Sequence, residues 1–276
     1  MSLKCQNCGA ENVDHAKYCC ECGKEMGFYC RKCGSYNPYG KFCISCGTKN
    51  DPVNWDEAST RRSDYSEENV YKDESGTYTA DRLVFLEGNY DAKKIEIRPG
   101  TRIICDTALL SILDDEDFYE EAIVEELIIP DSVTKIGGCA FSYCGSLQSI
   151  VVTEGNTIYD SRKNCNAIIE TESNTLVAGC SQTVIPNSVT QIGDSAFYCC
   201  RTLQSIVIPN SVTKIGDGAF SVCSSLQSIV IPDSVKEIRE GAFYLCTSLQ
   251  SIIIPKGTKE KFQELLPEYQ HLLKEE

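Results

Sequence analysis

Leu203-Gln-Ser-Ile-Val-Ile-Pro209-Asn-Ser-Val-Thr-Lys-Ile215-Gly-Asp-Gly-Ala-Phe220-Ser-Val-Cys223 is one complete copy of a string that recurs through the second half of this chain. Leu226 to Cys246 repeats it and Val124 to Cys144 is an earlier copy. Ile95 to Leu109 is a degenerate first copy, and Leu249-Gln-Ser-Ile-Ile-Ile-Pro255 opens a last one that does not finish. Ile192, Ile215 and Ile238 are spaced by 23 residues each. A fixed period of that size, with a Leu-x-x-Ile-x-Ile core, predicts stacked coils that share one continuous core. No coil can bury its apolar edge alone, so stability comes from neighbours.

Each position in the string has a physical task. Ile-x-Ile alternates, so both Ile face inward and the residue between them faces out. Strands of successive coils are expected to stack at about 4.8 Å into one parallel sheet. Pro130, Pro186, Pro209, Pro232 and Pro255 end the strands, because proline has no donor for the ladder. Ser-Val-x-x-Ile then turns the chain, and Ala-Phe fills the opposite side. Phe141, Phe197, Phe220 and Phe243 are expected to stack as an internal aromatic column. Cys144, Cys200, Cys223 and Cys246 each follow the phased Ile by eight residues and form a ladder, buried and reduced. Cys199 is expected to point outward.

The period and pattern predict a leucine-rich-repeat solenoid with short turns opposite its parallel sheet. Ile208-Pro-x-Ser-Val-x-x-Ile-Gly-x-x-Ala-Phe-x-x-Cys223 resembles the BspA-like subfamily of such repeats, over roughly residues 83–256. That resemblance implies binding to proteins or host surfaces, and a surface or secreted location.

Two insertions break the period. The first falls near 114–121, where six acids occur in eight residues. It lacks the Asp-x-Asp-x-Asp-Gly pattern of a calcium loop and reads as a solvated acidic turn, with Ca²⁺ the alternative. The second, near 165–180, reads as a β-hairpin that either pads one coil or projects as a contact element, and the first is favoured. Residues 257–276 have helical spacing, with Thr258 as N-cap and Pro267 either starting a second short helix or kinking the first. They are read as a helical cap on the open end of the core.

The first fifty residues are a different object. Nine of the eighteen cysteines lie there. Eight form Cys-x-x-Cys pairs: Cys5/Cys8, Cys19/Cys22, Cys30/Cys33 and Cys43/Cys46, each followed by glycine. Two such pairs supply four thiolates to one tetrahedral ion, so two structural Zn²⁺ are expected, with no open coordination position. The two halves copy one another and resemble a tandem zinc-ribbon module. Fifty residues with so few large apolar side chains need metal to fold. A disulfide framework is the alternative, and it would need an oxidising compartment.

Residues 51–80 are polar, acidic and aperiodic, and read as a flexible linker between the ribbons and a solenoid over 81–256. Residues 1–50 carry seven basic and four acidic side chains, whereas the chain as a whole has a net charge of −14. Such a balance disfavours a general nucleic-acid binder. Basic and aromatic residues in the ribbons keep nucleic-acid or ribonucleoprotein binding as an alternative. No apolar run reaches the length of a membrane span.

Only two histidines occur, and no glycine-rich phosphate loop or nucleophile elbow. A non-enzymatic protein-binding or scaffold role is therefore expected. Its candidate surface is the outward sheet face: Ser149, Val151, Ser205, Val207, Ser228, Val230, Ser251 and Ile253, with Gln148, Gln204, Gln227 and Gln250 at the edge. No apolar leader follows Met1, which predicts a cytoplasmic chain with reduced cysteines. The cell surface is the alternative implied by the resemblance.

Overall fold

The computed structural model describes residues 58–65, 70–79, 84–109 and 122–276. It also gives the backbone of four short strands, β1 (Ser2–Lys4), β2 (Glu11–Val13), β3 (Phe28–Tyr29) and β4 (Tyr36–Asn37). β1 pairs antiparallel with β2, and β3 with β4. The eight cysteines assigned to zinc and the acidic stretch near 114–121 lie outside the described residues.

The repeat region begins earlier than its periodicity suggests. β5 (Tyr71–Lys72), β6 (Gly76–Tyr78) and β7 (Val84–Gly88) form an antiparallel meander. Tyr78 is fully buried, with its ring 5.0 Å from that of Phe85. Ala58, Tyr65 and Val70 pack on Val84, Leu86, Ile103 and Cys105. The expected linker over 51–80 is thereby corrected for 58–65 and 70–79. The first coil has an open apolar end, and these scattered aromatic and aliphatic side chains cover it.

The regular coils, such as those at Pro130, Pro209 and Pro232, contribute two short strands, one on either side of the proline. The first coils supply β8 (Lys94–Glu96) and β9 (Ile103–Ile104), then β10 (Glu126–Ile129), β11 (Lys135–Ile136) and β12 (Ser149–Val152). β8, β10 and β12 are parallel, with Ile95, Leu127 and Ile150 in register. β7, β9 and β11 form a second parallel set, in which Ile104 faces Ile136. The single sheet expected from the repeat is thus corrected to two. The segment read as a turn after each proline does turn, through Val133 N–H to Pro130 O at 3.2 Å and Val212 N–H to Pro209 O at 3.0 Å. Its next residues then extend, because buried main-chain groups between coils need partners.

The second insertion is the joint of the molecule. β13 (Tyr159–Asp160), β14 (Ala167–Glu170) and β15 (Thr175–Gly179) form antiparallel pairs. Ile168 packs into the core that contains Phe85 and Leu127. Its neighbours Ala167 and Ile169 pack into the core that contains Phe197 and Phe220. A strand buried on both faces is a wall shared by two half-cores, so the hairpin is a structural variant of one coil.

Beyond it come β16 (Gln191–Ile192), β17 (Ser205–Val207), β18 (Lys214–Ile215), β19 (Ser228–Val230), β20 (Glu237–Ile238) and β21 (Ser251–Ile254). Leu176, Ile192, Ile215 and Ile238 stand in register through β15, β16, β18 and β20. Ile206, Ile229 and Ile252 do so through β17, β19 and β21. The rings of Phe197, Phe220 and Phe243 stack, with centroids 4.9 and 5.6 Å apart and planes 10° and 7° apart. Phe141 is not part of this column: it is partly buried in the other half-core, on the far side of the hairpin. Cys223 and Cys246 donate their thiol protons to the carbonyls of Phe197 and Phe220 at 3.1 and 3.0 Å, tying each coil to the one before. Cys199 is buried, which corrects its expected outward position; its positive φ of 59° turns the chain there.

The residue three after the phased Ile is left-handed in five coils: Thr107, Cys139, Ser195, Gly218 and Gly241, with φ of 51°, 54°, 54°, 57° and 63°. Glycine adopts this region at no steric cost, whereas an L side chain is penalised. Ser195→Gly is expected to raise stability by about 0.5–1 kcal/mol, and urea denaturation checks it.

The C-terminus is more than a helical cap. The helix α1 (Lys259–Leu265) and a 3-10 turn that starts at Pro267 bury Phe262 and Leu266. Tyr269 meets Phe243 edge-on at 5.9 Å and closes the aromatic column. The chain then adds β22 (Leu273–Glu275), parallel to β21, and so covers a sheet edge. Thr258 does not cap α1 with its hydroxyl, which donates to Pro255 O at 2.6 Å. Glu275 from β22 accepts from Gly257 and Lys259 N–H instead, at 2.9 and 3.3 Å.

Candidate functional site

Alternation in the Ser-Ile-Val strands sets the outer surface. Ile206 and Ile229 are buried, while Val207 between Ile206 and Ile208 is 65 % exposed. The parallel register then places Val207, Val230, Ile253 and Lys274 in one row across β17, β19, β21 and β22. The prolines that end these strands lie beside the row. Together Val207, Val230, Ile253, Pro209, Pro232 and Pro255 line an open groove of about 420 Å³, with Asn187, Asn210 and Glu276 also at its walls.

Of the eight residues singled out on the sheet face, three thus share one groove. Ser205 and Ser228 lie in the next outward row of the same sheet. Ser251 pairs with Ser228 but is only 9 % exposed, so its place on an open face is corrected. Ser149 and Val151 belong to β12 in the other sheet, on the far side of the hairpin coil. Gln204, Gln227 and Gln250 do mark an edge, exposed and joined by main-chain bonds of 2.8 and 2.9 Å.

Val184 was not recognisable as part of this surface, yet it is 73 % exposed. It lies 23 residues before Val207 and sits in Thr183-Val-Ile-Pro186, a shortened copy of Ile-Val-Ile-Pro. Its segment is not a strand, because the hairpin redirects its N–H to Cys165 O at 3.1 Å. Val151, Val184 and Val207 are therefore equivalent exposed positions of successive coils.

The chemistry of the groove is apolar contact with a few amide and carboxylate groups at the rim. Such a surface suits hydrophobic side chains of a protein partner better than phosphates. Among the described residues, no group of three or more His, Cys, Asp or Glu is placed to hold a metal ion. No described helix is long and apolar enough to cross a membrane. The thiols of the repeat follow the stack as a line. Burial pushes the Cys105 thiol up to about 12 and holds Cys200 well above the ordinary range. Contact with Cys246, and then burial, raise Cys223. At pH 8 these groups stay protonated and unreactive. Cys139 is the exposed thiol of the described residues. Iodoacetamide on the native chain is therefore expected to modify Cys139 well ahead of Cys105, Cys200 and Cys223, as read by peptide mass mapping. Modification of the buried three at the same rate would contradict the packing.

A family model described as BspA type Leucine rich repeat region matches residues 111–175 and 175–267, as six copies. Among solved structures, a leucine rich cell surface protein from Faecalibacterium prausnitzii is 29 % identical, with a TM-score of 0.41, over 56 % of this chain and 46 % of that one. A leucine-rich repeat protein from Bacteroides ovatus is 25 % identical, with a TM-score of 0.39, over 67 % of this chain and 45 % of that one. A leucine-rich repeat protein from Eubacterium ventriosum is 21 % identical, with a TM-score of 0.43, over 60 % and 49 %. The chain thus spans about half the length of these relatives. No curated protein matches it.

Proposed function

Because the chain belongs to the BspA-type leucine-rich-repeat family, we propose that it is a non-enzymatic binding or scaffold protein whose groove along Val207, Val230 and Ile253 takes a protein partner. The observation that carries this reading is the in-register row of outward aliphatic side chains, Val207 exposed and Val230 and Ile253 half-buried, flanked by three prolines. Regular stacking alone needs an inward Ile at each rung; it does not need an outward Val. Exposed apolar rows of this kind mark interaction sites. The test is a Val207→Asp/Val230→Asp variant. It should keep its thermal unfolding midpoint within a few degrees, since both side chains point away from the core, Val207 exposed and Val230 half-buried. It should lose a partner that the wild-type chain retains in affinity capture, while Lys259→Glu on α1 should keep it. Equal retention by the groove variant would refute the site.

The proposal includes two structural Zn²⁺, one on Cys5, Cys8, Cys19 and Cys22 and one on Cys30, Cys33, Cys43 and Cys46. Spacing and the glycine after each pair support it. Elemental analysis of protein purified under reducing conditions should give two zinc per chain, and none after removal of residues 1–50. Zinc-bound thiolates, together with repeat thiols buried in the core such as Cys105, Cys200 and Cys223, would fit a reducing compartment such as the cytoplasm. Zero zinc with blocked thiols would overturn both points and favour an exported surface protein.

A further inference from the structure

The rungs opposite the strands carry a third line of main-chain hydrogen bonds, and it is broken at one place. Ser195, Phe197 and Cys199 donate their N–H groups to the carbonyls of Asp217, Ala219 and Ser221 at 2.8, 2.7 and 2.9 Å. Gly218, Phe220 and Val222 repeat this onto Glu240, Ala242 and Tyr244 at 3.0, 2.8 and 2.7 Å. On the other side of the hairpin, Thr107 and Leu109 donate to Gly138 O and Ala140 O at 3.3 and 2.9 Å. The carbonyls of 138 and 140 therefore face back, and the N–H groups of Cys139 and Phe141 face forward. The coil they face is the hairpin coil, which runs from β15 almost directly into Thr183-Val-Ile-Pro186 and has no such rung. Among the described residues, neither N–H has an acceptor.

The gap is a cleft of about 110 Å³. One wall is the Gly137–Ser142 segment, the back is Val177–Gly179, and the other wall is Asp194–Ala196 with Tyr198. On that other wall, the carbonyls of Asp194 and Tyr198 receive no main-chain N–H, whereas Ser195 O accepts from Tyr198 at 3.0 Å and Ala196 O from Gly179 at 2.8 Å. The hydroxyl of Ser142, a residue 5 % exposed, lines the cleft with no hydrogen-bond partner. The hydroxyls of Tyr143 and Tyr198 meet at 3.2 Å across the gap between these coils. The cleft reaches the surface at Gly138, Cys139 and Asp194, which are exposed.

We infer that this cleft is a slot for one short peptide main chain, turned like the rungs of the neighbouring coils, which supplies the rung that the hairpin coil leaves out. Donors on one wall and acceptors on the other match a single peptide segment whose carbonyls point one way and whose N–H groups point the other, the arrangement seen at 217–222. The neighbouring coils show the fit directly, since the same donors there are filled by peptide carbonyls. The side chains admitted are small, because Gly137, Gly138, Ala140, Ala178 and Ala196 form the walls. Anions are disfavoured by the Asp194 carboxylate and by the unpaired carbonyls opposite.

The test is amide NMR of the full chain titrated with acetyl-Gly-Ala-Gly-Ala-amide at millimolar concentration. Without peptide, the Cys139 and Phe141 amides should exchange with solvent faster than those of Ser195 and Phe197. With peptide, the Cys139 and Phe141 resonances should shift and their exchange should slow. Ser142→Ala should weaken binding about five-fold, the loss of one hydrogen bond, while leaving the unfolding midpoint unchanged or raised. Unmoved resonances at saturating peptide would overturn the proposal and leave a water-filled gap. Shifts reproduced by acetate or phosphate would overturn it in favour of an anion site.

Discussion

Phe220→Ala is expected to cost about 3–5 kcal/mol, the range for a fully buried aromatic cut back to a methyl group. Phe220 is the middle ring of the Phe197–Phe220–Phe243 stack, with no exposed surface. Its loss leaves a cavity that neither neighbour can fill without leaving its own coil. In a chain of this size, each kcal/mol moves the unfolding midpoint by about 2–4 °C, so a drop of more than about 6 °C should follow. The repeat architecture adds a qualitative expectation. Stability is a sum of nearest-neighbour interfaces, so the coils from 226 onward should loosen before the hairpin half. Thermal unfolding by circular dichroism reads the first effect, and hydrogen exchange resolved along the chain reads the second. A cost below about 1 kcal/mol would mean that the column is not a continuous part of the core.

The opposite error, overfilling, is expected at Gly179. A methyl group there would lie 2.2, 2.5 and 2.9 Å from Cε1, Cζ and Cδ1 of Phe197. A ring held between β15 and Phe220 cannot retreat without breaking the stack. Gly179→Ala should therefore cost about 1–3 kcal/mol by overpacking, and Gly179→Val more. Phe197→Leu shortens the offending side chain, so in the double variant the two losses should not add, with a coupling of about 0.5–3 kcal/mol. Urea denaturation of the four members of the cycle measures it. Additive losses would place the cost of Gly179→Ala somewhere other than the ring. The glycine also explains the aromatic column's first member. Where the other coils place Ala-Phe, the hairpin coil presents a bare backbone, and Phe197 lies against it.

What the sequence determined by itself was everything that repeats. The 23-residue spacing of Ile192, Ile215 and Ile238, the inward Ile beside an outward Val, the strand-ending prolines and the one-per-coil thiol all follow from period and alternation. These properties belong to each residue's position in a coil, so a string of letters carries them. Three residues of the candidate groove, Val207, Val230 and Ile253, were legible for the same reason.

Tertiary structure decided everything that depends on which coil lies next. The Thr-Lys-Ile segments become a second sheet only because adjacent coils offer partners in register. Phe141 leaves the aromatic column because the hairpin stands between it and Phe197. Residues 70–79 pack as an opening cap because an apolar coil end is there to be covered. Glu275 caps α1 from a strand that exists only once β21 has an open edge. Val184 and Ser142 belong to the same class. One is exposed and the other lacks a partner because of a coil that departs from the repeat. A missing neighbour leaves no mark on the residue that needed it.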